Sequence, residues 1–267
     1  MDKQVESLLF TLKKDLSDLV KSSAFSGLKG GTEVEDMDHD ELKLMQMLAK
    51  DILPCVVKIG GPEARTDIRY CTSIGVDGLS APMIESEYSL RNFVKTLKNL
   101  LPPQYYKRLR KSINIETITG YRNLLEIADS PSFEELDNVT AARSDLSASM
   151  DMNPDDHEVM RISSGIVKIS KERGKTTSVG GTITKTNFYQ IMEVIQPDSI
   201  NSRHIGVDLN RVKSENLQDV PEKMLSFEIE LYNLFSLFKP ERSKFYQLRI
   251  DTNRERIGLK KVIYSIR

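Results

Sequence analysis

Apolar residues recur along this chain in two alternating rhythms. Val5, Leu8, Leu9, Leu12, Leu16 and Val20 fall at helical spacing and predict an amphipathic helix from Lys3 to about Lys21, packed on the outside of a domain. A glycine-rich, short β-like run, Ser26 to Glu35, follows and ends in acids. Asp38 then suits the N-cap of a second helix with Leu42, Leu44, Met45, Leu48 and Ile52 as its apolar face. The continuous apolar run from Leu53 to Ile59 fits a strand buried on both faces. It ends in Lys58 and two glycines, and Pro62 suits the first turn of a helix over Glu63–Ile74. Free amides at such a helix start can hold a carboxylate or phosphate.

The alternation continues. A strand in Gly75–Ser86 ends in Glu85, and a helix from about Ser89 to Leu100 is stopped by Pro102-Pro103. A strand with Ile113 and Ile115 ends in Glu116, a helix-like segment spans Tyr121–Ala128, and a strand Val139–Ala142 leads to Asp145. A long helix from Pro154–His157 to Lys171, a polar strand Thr176–Thr184, a helix Asn187–Ile195 and a last clear strand in Asp198–Asp208 complete the series. Strands alternating with helices argue for a parallel α/β fold. Function-like side chains end five successive strands: Glu35, Lys58, Glu85, Glu116 and Asp145. A closed barrel gathers strand ends on one face, whereas a doubly wound sheet concentrates its chemistry at a switch point. The expected fold is therefore a TIM (β/α)8-type barrel with extra N-terminal and C-terminal helices, its eighth strand unassigned.

The chain changes character after Pro221. We expect residues 1–220 to form the barrel with its N-terminal helix, and residues 221–267 a C-terminal helical extension. Phe227, Leu231, Leu234, Phe235 and Phe238 share one helical face, and Leu259, Val262, Ile263 and Ile266 share another in a basic tail. This exceeds what one barrel helix needs. Either the surplus joins subunits of a homo-oligomer, or a helical pair covers the barrel's own edge.

Composition narrows the class. The 38 basic and 39 acidic residues nearly cancel, so no basic field suggests nucleic acid. No run of about 18 apolar residues suggests a membrane span. Acids stand in Met1–Glu6 where a secretory signal has its basic region. Cys55 and Cys71, without CxxC spacing, are expected to be reduced core residues of a cytoplasmic protein.

Candidate chemistry centres on Glu116 and Asp145, 29 positions apart, about the length of one strand–helix–strand unit. On parallel neighbouring strands they emerge at the same end. Two hard oxygen ligands completed by water suit Mg²⁺ or Mn²⁺ with positions open to a substrate. Strand-end acids also cap helices or meet basic partners, and spacing alone leaves both readings open. Lys58 has three: a point charge for a substrate carboxylate, a Schiff-base amine, or a partner of Glu35 or Glu85. Arg143 stands two residues before Asp145, so strand alternation places both on one side. It is a candidate for a second carboxylate or a phosphate, or for an ion pair with Glu85 or Glu116.

Four segments then carry a resemblance: Val57-Lys-Ile-Gly-Gly-Pro-Glu-Ala64, Gly75-Val-Asp-Gly-Leu-Ser-Ala-Pro-Met-Ile-Glu-Ser86, Asn114-Ile-Glu-Thr117 and Asp145-Leu-Ser-Ala-Ser-Met150. In order and spacing the chain resembles the HpcH/HpaI aldolase and citrate-lyase beta-subunit superfamily. The resemblance implies a TIM barrel that forms or cleaves a carbon–carbon bond in pyruvate, oxaloacetate or acyl-CoA-type substrates. It implies a divalent metal on the acids matching Glu116 and Asp145, and an arginine where Lys58 stands, contacting the substrate carboxylate. The pyruvate aldolases of this group carry a histidine after a strand-end acid near Gly30–Asp36. Here the stretch reads Glu33-Val-Glu-Asp36 with His39 nearest, which resembles the citrate-lyase-like branch or an unassigned one. Candidate bases are Glu85, Glu35 and metal-bound water. The alternatives are a Schiff-base lyase using Lys58 and a barrel that binds a metabolite or partner without catalysis.

Overall fold

The computed structural model describes residues 2–259. Eight strands close a barrel in sequence order. They are β1 (Phe25–Gly31), β2 (Cys55–Lys58), β3 (Gly78–Ala81), β4 (Arg110–Ile115), β5 (Asn138–Ala142), β6 (Thr176–Gly180), β7 (Ser199–Asn201) and β8 (Ile205–Asp208). The first seven pair in parallel, and β8 runs antiparallel to both β7 and β1. The segment expected as one last strand is thus a tight hairpin that contains the eighth. Its turn, Ser202-Arg203-His204, offers no glycine or proline to mark a break. The turn is made instead by Ser202, whose backbone N–H donates to the Ile205 carbonyl at 2.9 Å.

Helices form where the apolar spacing predicts them. The first, α1 (Lys3–Ser23), buries Val5, Leu9, Leu12 and Leu16. Next comes α2 (His39–Ala49), opened by a capping box in which Asp38 accepts from the Glu41 amide and Glu41 reaches back to the Asp38 amide. Such a cap contributes about 1 kcal/mol. Then α3 (Arg65–Ser73) starts later than expected, leaving Pro62 in the preceding turn, and α4 (Glu87–Leu100) follows. Pro103 opens α5 (Pro103–Arg108), and Tyr121–Ala128 divides into α6 (Ile118–Arg122) and α7 (Leu124–Ala128). After α8 (Pro131–Glu134) and β5 comes α9 (Arg143–Ala148), which the alternation of apolar residues does not reveal. The shell continues with α10 (His157–Glu172), α11 (Asn187–Ile195), α12 (Val220–Phe238) and α13 (Ser243–Arg256).

The C-terminal helices are integral to this shell. Phe227, Leu231, Leu234 and Phe235 of α12 are buried, and Phe227 meets Phe25 of β1 edge-to-face at 6.1 Å. With α1 and α13 packed on it as well, that apolar face is covered within the chain. Val262, Ile263 and Ile266 lie outside the described residues. Cys55 and Cys71 are free and buried, and burial pushes the Cys71 thiol up to about 12. Among the described residues no helix is long and apolar enough to cross a membrane.

Alternation sorts the strand residues. Added bulk at Gly30 would strike Leu42 of α2, so that position faces the helical layer, and its neighbour Lys29 faces the barrel interior. The interior is polar: the Ser80 hydroxyl donates to Asn114, and Thr140 and Ser178 share a hydrogen bond of 2.7 Å. Three aspartates close its N-terminal end in one repeated way. Asp77, Asp137 and Asp198 each directly precede a strand and accept the backbone N–H of Cys55, Lys111 or Thr177 on the strand before.

Candidate active site

The C-terminal ends of the strands surround a cavity of about 140 Å³. Its charged walls are Lys29, Glu35, Lys58, Glu116, Asp145, Arg203 and Arg256. Ile115 pairs with Ala141 in the parallel β4–β5 ladder, so the acids just past these strands emerge together, as expected. Glu116 lines the cavity directly after β4. Its Oε1 accepts from the Met83 amide at 2.7 Å and its Oε2 from Asn114 Nδ2 at 3.0 Å. Met83 holds a left-handed backbone, φ 52°, which a side chain of its kind rarely adopts; the bond to Glu116 offsets some of that strain. Burial pushes the Glu116 carboxyl above its ordinary range, aided by Asp145 and opposed by Asn114, Lys58 and Met83.

Asp145 sits in the first turn of α9 and lines the same cavity. Its carboxylate makes no hydrogen bond or ion pair among the described residues. Burial raises its pKa, with Glu33 and Glu35 adding to the effect and Lys58 opposing it. The close approach of β6 to α9 depends on Gly181, at φ +89°. A Cβ there would stand 2.4 Å from the Ser144 amide. A two-carboxylate donor set with one unneutralised member fits a hard divalent cation that completes its shell with water and substrate. Among the described residues no third His, Cys, Asp or Glu joins it as a ligand cluster.

Lys58 ends β2 and is 5% exposed. Its Nζ lies 2.6 Å from Glu33 and 3.8 Å from Glu35. Burial alone would lower this amine, but Glu35, Glu33 and Glu116 outweigh it and hold it above the ordinary lysine value. Glu35 folds back over Gly31, where a Cβ would collide with its carboxylate at 2.3 Å. Burial would raise Glu35, yet Lys58, Lys29 and Arg203 prevail and keep it ionised. Its Oε2 is buried and accepts no hydrogen bond among the described residues.

Two expected residues are placed elsewhere. Arg143 is fully buried and points out of the cavity, donating to Asp155 at 2.7 Å and to the Pro154 and Gly181 carbonyls at 2.9 and 2.7 Å. The strand stops at Ala142, and in a helix residues two apart face different ways, so the alternation that tied Arg143 to Asp145 does not apply. Its ion-pair partner is Asp155, not Glu85 or Glu116. Glu85 lies four residues beyond β3, and its carboxylate accepts the Thr117 hydroxyl at 2.5 Å, fastening its loop to α6 outside the cavity wall. His39 stacks on Tyr70 at 3.6 Å, away from the site.

Sequence reasoning missed Lys29, Arg203 and Arg256. Lys29 was legible: a lysine between Leu28 and Gly30 on a strand buried on both faces must point into the barrel. Burial pushes its amine below the ordinary value, with Glu35 opposing and Lys58 reinforcing. Arg203 was hidden in the unrecognised hairpin, and Arg256 arrives from a distant helix.

Residues 40–187, more than half of the chain, match the family model described as HpcH/HpaI aldolase/citrate lyase. The chain belongs to that family. The HpcH/HpaI aldolase/citrate lyase family is one of carbon–carbon lyases, and solved structures agree on the fold. An HpcH/HpaI aldolase/citrate lyase family protein from Burkholderia cenocepacia J2315 is similar at 15% identity and TM-score 0.54, over 68% of this chain and 79% of that one. The HpcH/HpaI aldolase from Desulfitobacterium hafniense DCB-2 is similar at 12% identity and TM-score 0.56, over 72% and 82%. The citrate synthase SbnG is similar at 14% identity and TM-score 0.55, over 73% and 81%. No curated protein matches the sequence significantly.

Proposed function

We propose that this family member is a divalent-metal-dependent carbon–carbon lyase or aldolase acting on a keto acid or acyl-CoA-type carboxylate. The observation that carries this reading is the pair Glu116 and Asp145 on one cavity, with Asp145 lacking any charge partner in contact among the described residues. These two residues would hold Mg²⁺ or Mn²⁺. Such an ion supplies polarisation of the substrate carbonyl and stabilises the negative charge left when the carbon–carbon bond breaks.

Lys58 holds the substrate carboxylate. Glu33 contacts the same amine at 2.6 Å, and its 37% exposure lets it swing into solvent and yield that place to a substrate carboxylate. Glu35 Oε2, which accepts no hydrogen bond among the described residues and lies 3.8 Å from Lys58, is the cavity oxygen free to take up and return a proton. The ion-paired, protonated Lys58 is poorly suited to imine formation. Lys29, with its amine depressed by burial, favours a second reading, a Schiff-base lyase; borohydride trapping of a keto acid on Lys29 would replace the metal reading. A barrel that only binds a metabolite would take up the same ligands without turnover.

Calorimetry tests the metal reading directly. Mg²⁺ or Mn²⁺ should bind the wild type and bind Glu116→Gln far more weakly; equal affinities would overturn it. A thermal-shift screen with metal, keto acids and acyl-CoA thioesters then identifies the substrate. We also propose a homo-oligomer, supported by exposed Phe10, Leu237 and Leu248. A monomer by light scattering at micromolar concentration would refute that. Free buried cysteines support a reducing, cytoplasmic setting.

A further inference from the structure

The cavity carries more positive charge than a metal-bound monocarboxylate needs. Lys58 suffices for one carboxylate, and any cation on Glu116 and Asp145 adds to the surplus. Two further guanidiniums face the same space, Arg203 from the β7–β8 turn and Arg256 from the end of α13. Among the described residues Arg203 has one loose neighbour, Glu35 Oε1 at 3.9 Å, and the other oxygen of that carboxylate, Oε2, stands 3.8 Å from Lys58. The Arg256 guanidinium makes no hydrogen bond or ion pair among the described residues. Each arginine also repels the other.

Their scaffold is tightly built. Glu228 of α12 is fully buried and accepts from Ser202 Oγ at 2.7 Å and from the His204 amide, the two residues flanking Arg203. Its other oxygen accepts from Asn253 Nδ2 at 2.9 Å. Asn253 lies three residues before Arg256, one helical turn away on the same side of α13. One buried carboxylate therefore fixes both arginine-bearing segments relative to each other. The Lys185 amide, bonded to the Arg256 carbonyl at 3.2 Å, pins the helix end to the loop after β6. Holding two like charges together on one cavity, on a rigid support, with only the 3.9 Å Glu35 pair and no hydrogen bond to either guanidinium among the described residues, is the arrangement of an anion subsite.

We infer that Arg203 and Arg256 form a second anion subsite, which binds a carboxylate or phosphate at the end of the substrate remote from Lys58. The inference rests on the keto-acid reading and narrows it to substrates with two anionic ends. It gives the C-terminal helix a part in substrate selection, and it moves the second anion-binding role expected at Arg143 to two other arginines.

Titration calorimetry on the full chain with Mg²⁺ tests it with four probes: pyruvate, 2-oxoglutarate, 3-phosphonopyruvate and inorganic phosphate. Wild type should bind at least one of the two-ended keto acids about tenfold or more tighter than pyruvate. Which of them gains tells carboxylate from phosphate. Arg203→Gln and Arg256→Gln should each erase that gain and leave pyruvate affinity unchanged, while Arg256→Lys keeps part of it. Melting curves of all three variants verify folding. Two-ended acids binding no tighter than pyruvate, or variants that weaken pyruvate equally, would overturn the subsite. If pyruvate does not bind at all, the keto-acid reading falls and inorganic phosphate decides. Phosphate binding lost in the arginine variants keeps the subsite, and binding that is absent or unchanged in them removes it.

Discussion

The two ends of this barrel use the same chemical groups in opposite ways. At the N-terminal end, Asp77, Asp137 and Asp198 each accept a backbone N–H from the preceding strand, and Lys111 and Lys175 donate to backbone carbonyls. At the C-terminal end, the Asp145 carboxylate and the Arg256 guanidinium make no hydrogen bond or ion pair among the described residues. Charges matched to backbone at one end stabilise the fold; charges left unmatched at the other cost stability and await a ligand. Arg143 sharpens the contrast, because it lies at the ligand end yet spends both terminal nitrogens on Asp155 and two backbone carbonyls, like a group of the opposite end.

Breaking those contacts should have the largest effect. Arg143→Met leaves the Pro154 and Gly181 carbonyls without their donor, while half-exposed Asp155 keeps Asn187, and should lower stability by about 2–4 kcal/mol in denaturant titrations, with metal affinity intact in the folded fraction. Glu116→Gln should do the reverse, weakening Mg²⁺ binding by at least about tenfold while leaving apo stability equal or higher. Lys58→Met should reduce kcat/KM on the substrate found by screening by about tenfold to a hundredfold, roughly 1.5–3 kcal/mol, whereas Lys58→Arg keeps substantial activity. Equal damage from both Lys58 variants would count against the charge role. Asp137→Ala, at the opposite end, should cost about 1 kcal/mol through the unpaired Lys111 amide and leave metal binding unchanged.

The smallest effect is a pH slope. Glu116 and Asp145 have raised carboxyl pKa values, so the folded chain binds more protons than the unfolded chain just above the ordinary carboxylate range. Metal-free stability should therefore fall as pH rises through that window, and Mg²⁺ should restore it. Melting curves across pH would show the slope shrink in Glu116→Gln.

Regular periodicity made most of the shell legible. Helix α11 has the bounds expected, and α1 and α2 differ only at their ends, because their buried positions repeat without interruption. The pairing of Glu116 with Asp145 was legible because parallel register carries adjacent strand ends to one face. Glu85 and Arg143 were misplaced because side-chain direction past a strand end depends on the local turn: Met83 in a left-handed conformation, and a helix beginning at Arg143 itself. The β7–β8 hairpin was missed because its turn is stabilised by Glu228, a residue far away in sequence.

The antiparallel last strand has a consequence for how the molecule is made. Among the described residues β8 alone bridges β7 and β1, so the ring stays an open sheet while the ribosome still holds Ile205–Asp208 in its exit tunnel. Until those four residues emerge, β1 and β7 expose unpaired edges, which invite pairing with other nascent chains. Closure joins the first strand to the last, so it falls late and is slow by topology. A chain stopped before residue 205 should thus be a client of chaperones, while one released after α12 has the means to shut its own ring.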